Sequence, residues 1–234
     1  MAIYTISDLH LSLNKDKPMD IFGENWTEHS EKIKKDWQEK VTNNDIVLMP
    51  GDFSWAMNLK DTYDEFEYLE KLPGKKILLK GNHDYWWETL TKMRKYLKEN
   101  KFQSIDFLYN NSYLYENTII AGTRGWTTND DIEDKKIFER ELGRLELSIQ
   151  DGIKRYGEEK EIIVCMHFPP ITNKEITKED RQLLDILKKY NVKKCIYGHL
   201  HGESQKYAIT GKLEGIEFIL ASADYLEFKL LKII

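Results

Sequence analysis

Four short runs of β-forming residues, 46–49, 76–79, 161–166 and 194–197, alternate along the chain with longer segments whose apolar residues recur at helical period. No other feature constrains the fold as strongly. Near-continuous apolar runs of this length describe strands buried on both faces, and such strands need crossover helices to cover them. The expected class is α/β. Helices are expected over 30–41, over 61–72 with Asp61 as cap and Pro73-Gly74 as stop, and over 88–99, 133–156 and 178–190. The last follows a Thr177 cap with Asp180 three residues on. Between 107 and 121 the pattern changes to short β segments broken at Asn110-Asn111 and Glu116-Asn117, both read as hairpin turns. The C-terminal region repeats that mode, with strands expected at 207–210, 216–221 and 228–234 and turns at Gly211 and Gly215. No repeat, linker or low-complexity stretch interrupts the chain, so a single domain over 1–234 is the economical expectation.

Charge narrows the partners. With 35 basic and 40 acidic residues the net charge is −5, and the lysines are interleaved with acids, as in 31–36. No large nucleic-acid partner is expected, because phosphate neutralisation needs clustered Lys and Arg. Apolar runs such as 162–166 are far shorter than the roughly 18 residues a bilayer span needs, so no membrane partner is expected either. Residues 2–6 read as a strand rather than a secretion signal, which makes the cytoplasm the expected location. Cys165 and Cys195 each lie in an apolar run and read as small buried hydrophobes.

The chemistry lies where the apolar runs end. Five of the six histidines directly follow such runs, in Asp8-Leu9-His10, Gly81-Asn82-His83-Asp84, Met166-His167 and Gly198-His199-Leu200-His201, and Gly51-Asp52 follows 46–50 in the same way. In open α/β sheets ligands bind outside the carboxyl ends of the strands, so these loops are candidates for one site. In extended chain, residues two apart project to one side, which pairs Asp8 with His10 and His199 with His201. A donor set of carboxylates, imidazoles and an amide oxygen, without thiolate, suits Mn, Fe, Zn or Ni.

The order Asp-x-His, Gly-Asp, Gly-Asn-His-Asp, isolated His and Gly-His-x-His, running from residue 8 to residue 201, resembles the five signature blocks of the calcineurin-like metallophosphoesterases. The resemblance implies a four-layer α/β/β/α sandwich of two mixed β-sheets with the metals at one sheet edge. It implies two divalent or mixed-valence metal ions, Mn and Fe foremost and Zn or Ni as alternatives. One would be held by Asp8, His10, Asp52 and His201 and the other by Asn82, His167 and His199, with Asp52 bridging. The implied activity is that of a dinuclear phosphohydrolase, cleaving a phosphomonoester or phosphodiester by attack of a metal-activated hydroxide. Asp52 and His83 would be the catalytic pair, with His83 contacting the phosphate and protonating the leaving oxygen. One departure matters. The phosphoprotein phosphatase branch carries a second Asp three residues after the Gly-Asp acid, and this chain has Trp55 there. The broader phosphohydrolase branch is therefore favoured, and the partner of His83 is left open.

The expected substrate is a small phosphorylated molecule, a nucleotide among the candidates. Trp55, Trp86, Trp87 and Trp126 either stack a planar group or close the core beneath loops. Arg124, in Gly122-Thr123-Arg124-Gly125-Trp126, is placed to meet a phosphate with its guanidinium fork or to make a surface ion pair. Arg124, Asn82, His83 and Trp55 are the expected substrate contacts. Phe168-Pro169-Pro170 stiffens the chain after His167. His29 reads as a surface residue at a helix start, without a role. The rival readings are a metal-stabilised interaction scaffold without turnover, against which His83 speaks, and a nuclease, against which the lack of a basic segment speaks.

Overall fold

The computed structural model describes residues 1–13, 17–127, 131–171 and 176–234. They form two compact units, Met1–Phe107 with Ala221–Ile234, and Leu108–Leu220. In chain order the first unit contributes β1 (Ile3–Thr5), α1 (His29–Lys40), β2 (Ile46–Met49), α2 (Tyr63–Glu70), β3 (Lys75–Leu79), α3 (Leu90–Glu99) and most of β4 (Ile105–Leu108). The second contributes β5 (Tyr113–Tyr115), β6 (Thr118–Thr123), α4 (Ile132–Tyr156), β7 (Glu161–Met166), α5 (Lys178–Lys189), β8 (Lys194–Tyr197), β9 (Gly211–Leu213) and β10 (Ile216–Leu220). The chain then returns to the first unit with β11 (Leu231–Lys232). The class is α/β, built on two mixed sheets.

The first sheet has the order β11-β1-β2-β3-β4. Its central strands β1, β2 and β3 run parallel, with Ile3 opposite Ile46 and Ile46 opposite Lys75, while β11 is antiparallel to β1. The helices of this unit bury residues three or four apart, Ile33 and Trp37 on α1, Phe66 and Leu69 on α2, and Met93 and Leu97 on α3, as one apolar stripe each requires. The second sheet has the order β5-β6-β7-β8-β10-β9, with the four inner strands parallel and the two edges antiparallel. Phe138, Leu145 and Ile149 of α4 and Leu183, Leu184 and Leu187 of α5 share a core with Ile162, Val164 and Cys195. Cys165 and Cys195 are buried free thiols, and burial pushes the Cys165 thiol up to about 12, so neither offers a nucleophilic thiolate. No helix among the described residues is long and apolar enough to cross a membrane.

The expected strands 46–49, 161–166 and 194–197 and the Thr177–Asp180 capping box are observed as read. Three expectations are corrected. Asp61 does not cap α2; it lies in the 3₁₀ turn Leu59–Thr62, where its carboxylate accepts the Asn58 amide at 2.8 Å, and the α-helix begins at Tyr63. Glu116-Asn117 closes a hairpin, with Tyr115 opposite Thr118, but Asn110-Asn111 does not, because β4 and β5 belong to different sheets. There the Asn111 side chain accepts the Tyr109 amide at 2.6 Å and turns the backbone locally. The strand expected at 207–210 falls instead on β9. Glu214 and Gly215 both have positive φ, 50° and 87°, so they form the two-residue turn that sets Leu213 opposite Ile216. Register therefore begins at Gly211, and Tyr207 ends a 3₁₀ turn.

Candidate metal centre

Because β1, β2 and β3 are adjacent and parallel, the segments that leave their carboxyl ends emerge side by side on one sheet edge. The segment after β1 stays alongside the one after β2. Asp8 N donates to Gly51 O at 2.9 Å, His10 N to Asp52 O at 3.0 Å, and Leu11 N to Phe53 O at 2.9 Å. Asp8, His10 and Asp52 have φ of 59°, 46° and 54°, the left-handed region that costs a non-glycine residue about 1 kcal/mol or more. Asp8 and His10 are thus not held in extended chain, as the sequence suggested. Paired kinks aim them instead. Each pair among Asp8, His10 and Asp52 offers ligand atoms within 4.8 Å, and all three residues are buried.

The residue that organises this edge, and to which the sequence assigned no role, is Asp84. Its carboxylate is fully buried and accepts the backbone N–H groups of Asp52 (2.9 Å), Phe53 (2.9 Å), Ser54 (3.3 Å) and Gly81 (2.7 Å), together with the Trp86 indole N–H (2.9 Å). One anion thereby ties the loop after β2 to the loop after β3. The only sequence signal was an acid directly after Asn82-His83. Gly81 packs against the same loop, and a Cβ there would lie 2.0 Å from Asp52 Oδ1, so the close approach requires glycine.

His83 Nδ1 lies 2.7 Å from Asp52 Oδ2, and its backbone N–H donates to Asp52 Oδ1 at 2.8 Å. The carboxylate missing at Trp55 is therefore replaced in this structure by Asp52 itself. Asn82 Nδ2 lies 3.1 Å from His83 Nδ1, which keeps the pair at the same edge. His10, Asp52 and His83 form a cluster whose ligand atoms all lie within 4.8 Å of one another. The Trp55 ring stacks on His10 at 4.9 Å and lies 4.6 Å from His83, with Lys17 Nζ 4.6 Å from its centroid. Trp86 and Trp87 are buried among Phe53, Phe66 and Phe107 and close the core.

His29 does begin α1, but it is half-buried rather than a surface residue. Its Nε2 lies 3.0 Å from the carbonyl of Leu9, between Asp8 and His10, and its Nδ1 lies 3.2 Å from the carbonyl of Trp26. Burial lowers the imidazole pKa, outweighing the two carbonyls that raise it. The folded state therefore favours neutral His29, and the unfolded chain takes up the proton as pH falls through 6.5, which weakens the fold. His29→Ala is expected to lower stability by about 1–3 kcal/mol and to flatten that slope, as measured by urea midpoints between pH 5 and 8.

In the second unit β6, β7 and β8 are again adjacent and parallel, so Arg124, His167, His199 and His201 leave one edge. His167 is buried, and its ring lies 5.1 Å from that of His199, which has a φ of 74°. His201 opens the next 3₁₀ turn through a bond from its N–H to Ser204 Oγ at 2.9 Å. The Arg124 carbonyl accepts the N–H groups of both His167 and Phe168, at 3.0 and 2.9 Å. Its guanidinium lies over Trp126 (4.6 Å) and Phe168 (6.0 Å), and the Phe168 ring lies 4.5 Å from His199.

The calcineurin-like phosphoesterase profile matches residues 1–203, a span that takes in all five motif blocks. The chain belongs to that family. No curated protein matches it closely enough to stand as a relative. Solved structures with the same fold include the protein of unknown function AQ665 from Aquifex aeolicus, at 21% identity and a TM-score of 0.51, covering 99% of this chain and 95% of that one. Phosphopantetheinyl hydrolase from Mycobacterium tuberculosis shares 12% identity with a TM-score of 0.58, covering 100% and 95% of the two chains. TT1561 of Thermus thermophilus shares 13% with a TM-score of 0.57, covering 98% and 96%. The phosphoesterase is accordingly a metal-dependent hydrolase of phosphorylated substrates. Its residues fit divalent cations, since buried Asp8 and Asp52 supply hard oxygen donors beside the His10 imidazole.

Proposed function

We propose that this phosphoesterase is a dinuclear phosphohydrolase acting on a small phosphomonoester or phosphodiester, with residues 1–234 forming one domain. The observation that carries the reading is the Asp52–His83 contact of 2.7 Å inside a buried carboxylate–imidazole cluster, which joins a metal-ligand type to a proton carrier. The family match runs from the first compact unit into the second, which supports the single-domain reading. The two reduced, buried cysteines are in keeping with a cytoplasmic location.

Asp8, His10, Asp52 and His201 would hold one cation and Asn82, His167 and His199 the other, with Asp52 shared; this division rests on the motif order. Manganese or iron suits the oxygen and nitrogen donors, with zinc or nickel as alternatives. When bound, such a pair supplies Lewis acidity, polarising phosphoryl oxygens and acidifying water. His83 is kept oriented by Asp52 at Nδ1 and delivers the proton from Nε2 to the departing oxygen. Asn82 adds a donor to the phosphoryl oxygens, and Arg124 offers its guanidinium fork to a phosphate of the substrate. Trp55, stacked on His10 at 4.9 Å, would meet a nucleotide or another organic group of the substrate.

The test is hydrolysis of p-nitrophenyl phosphate and its bis ester by the Mn²⁺-loaded protein. Turnover of one is expected, and metal binding without turnover of either would overturn the reading. His83→Ala is expected to retain its metal content, measured by atomic emission, while kcat falls by about 10²- to 10⁴-fold.

A further inference from the structure

The second unit holds a guanidinium, that of Arg124, which neither the metal ligands nor the proton transfer described above requires. Arg124 leaves the carboxyl end of β6 with its guanidinium partly buried against the faces of Trp126 and Phe168. Aromatic faces fix the plane of a guanidinium and leave its N–H edge to bind. Among the described residues no carboxylate lies within ion-pairing distance of that edge. The nearby Glu141 is already committed, accepting the Thr123 hydroxyl at 2.5 Å and the Arg144 guanidinium at 2.6 Å. Asp134 accepts the Trp126 indole N–H instead. Two further guanidiniums, Arg140 and Arg144, both on α4, oppose the charge of Arg124, and the engaged Glu141 favours it. Burial is the largest influence on Arg124 and holds its pKa below the ordinary guanidinium value.

A partly desolvated guanidinium with no acid partner among the described residues is costly in the free protein and favourable once an anion arrives. With Arg144 paired to Glu141, the donor edge that the stacked geometry presents to an anion is that of Arg124. The Phe168 ring, which neighbours both Arg124 and His199, sets this anion position one aromatic ring from the candidate ligands of the same unit. We propose that Arg124 binds a second phosphoryl group of the substrate, so that the preferred substrate class is an organic bisphosphate rather than a simple monoester. This rests on the phosphohydrolase reading and deepens it. Arg124 then serves the group that is not cleaved, and specificity follows from its planar fork.

Two measurements test the site. The first compares kcat/KM for fructose 1,6-bisphosphate and fructose 6-phosphate in the Mn²⁺-loaded protein. A preference for the bisphosphate is expected, shrinking by about ten- to a hundredfold in Arg124→Gln and less in Arg124→Lys, which keeps the charge but not the fork. The second is calorimetric titration of inorganic pyrophosphate into the EDTA-treated protein, where binding is expected in the wild type and lost in Arg124→Gln. Equal rates on the two sugar phosphates, or a preference untouched by Arg124→Gln, would overturn the proposal, as would failure of pyrophosphate to bind the wild type. Pyrophosphate binding lost in Arg124→Gln, with neither sugar phosphate hydrolysed, would uphold the anion site and reject the phosphohydrolase reading.

Discussion

Asp52→Asn is expected to strip metal from the protein and to lower turnover of p-nitrophenyl phosphate by about a thousandfold, which is what several kcal/mol of lost Lewis-acid stabilisation amounts to. The substitution keeps the size of the side chain and removes its charge. It also converts one carboxylate oxygen into an N–H donor that must face either the His83 backbone N–H or His83 Nδ1, both of which now meet an acceptor. Metal affinity and the orientation of His83 should therefore fail together. Elemental analysis after desalting, alongside steady-state kinetics with added Mn²⁺, checks the outcome. Unchanged metal content would remove Asp52 from the ligand set, and unchanged kcat would remove the Asp52–His83 pair from the chemistry.

The largest stability effect is expected at Asp84. Asp84→Ala leaves four backbone N–H groups and an indole N–H without their acceptor in a site that is fully buried. At about 1–3 kcal/mol for each buried donor left unmade, even partial relaxation leaves a loss of about 4 kcal/mol or more, enough to unfold a marginal domain. Asp84→Asn should fall between the two, because an amide offers one acceptor oxygen where the carboxylate offers two. Urea unfolding of the purified variants, or their yield in soluble form, measures this. A loss below about 1 kcal/mol for Asp84→Ala would mean that water takes over the amides.

Much of this was legible in the order of residues. The runs 46–49, 161–166 and 194–197 announced themselves because their apolar residues are buried and follow a charged residue, Asp45, Glu161 or Lys194, that marks where each begins. The capping box at Thr177 and Asp180 is a purely local device and was read for the same reason. What failed was non-local. The register of β9 against β10 is set by two left-handed residues, Glu214 and Gly215, and nothing in Tyr207 to Thr210 reveals that pairing. Asp8, His10 and Asp52 were identified by type and order, but the kinks that aim them arise from hydrogen bonds between two segments more than 40 residues apart. Asp84 and His29 act through backbone groups, and a backbone group has no letter in a sequence. Trp86 and Trp87 admit a substrate platform or a core role from sequence, with the core role favoured, and their burial agrees with it.

One carboxylate that fastens two loops has a practical consequence. A saturation screen scored by cellular abundance would rank Asp84 above His83, although only the latter is assigned a part in bond cleavage. Rates normalised to folded protein would reverse the ranking, so an abundance map of this enzyme traces its scaffolding and an activity map its chemistry.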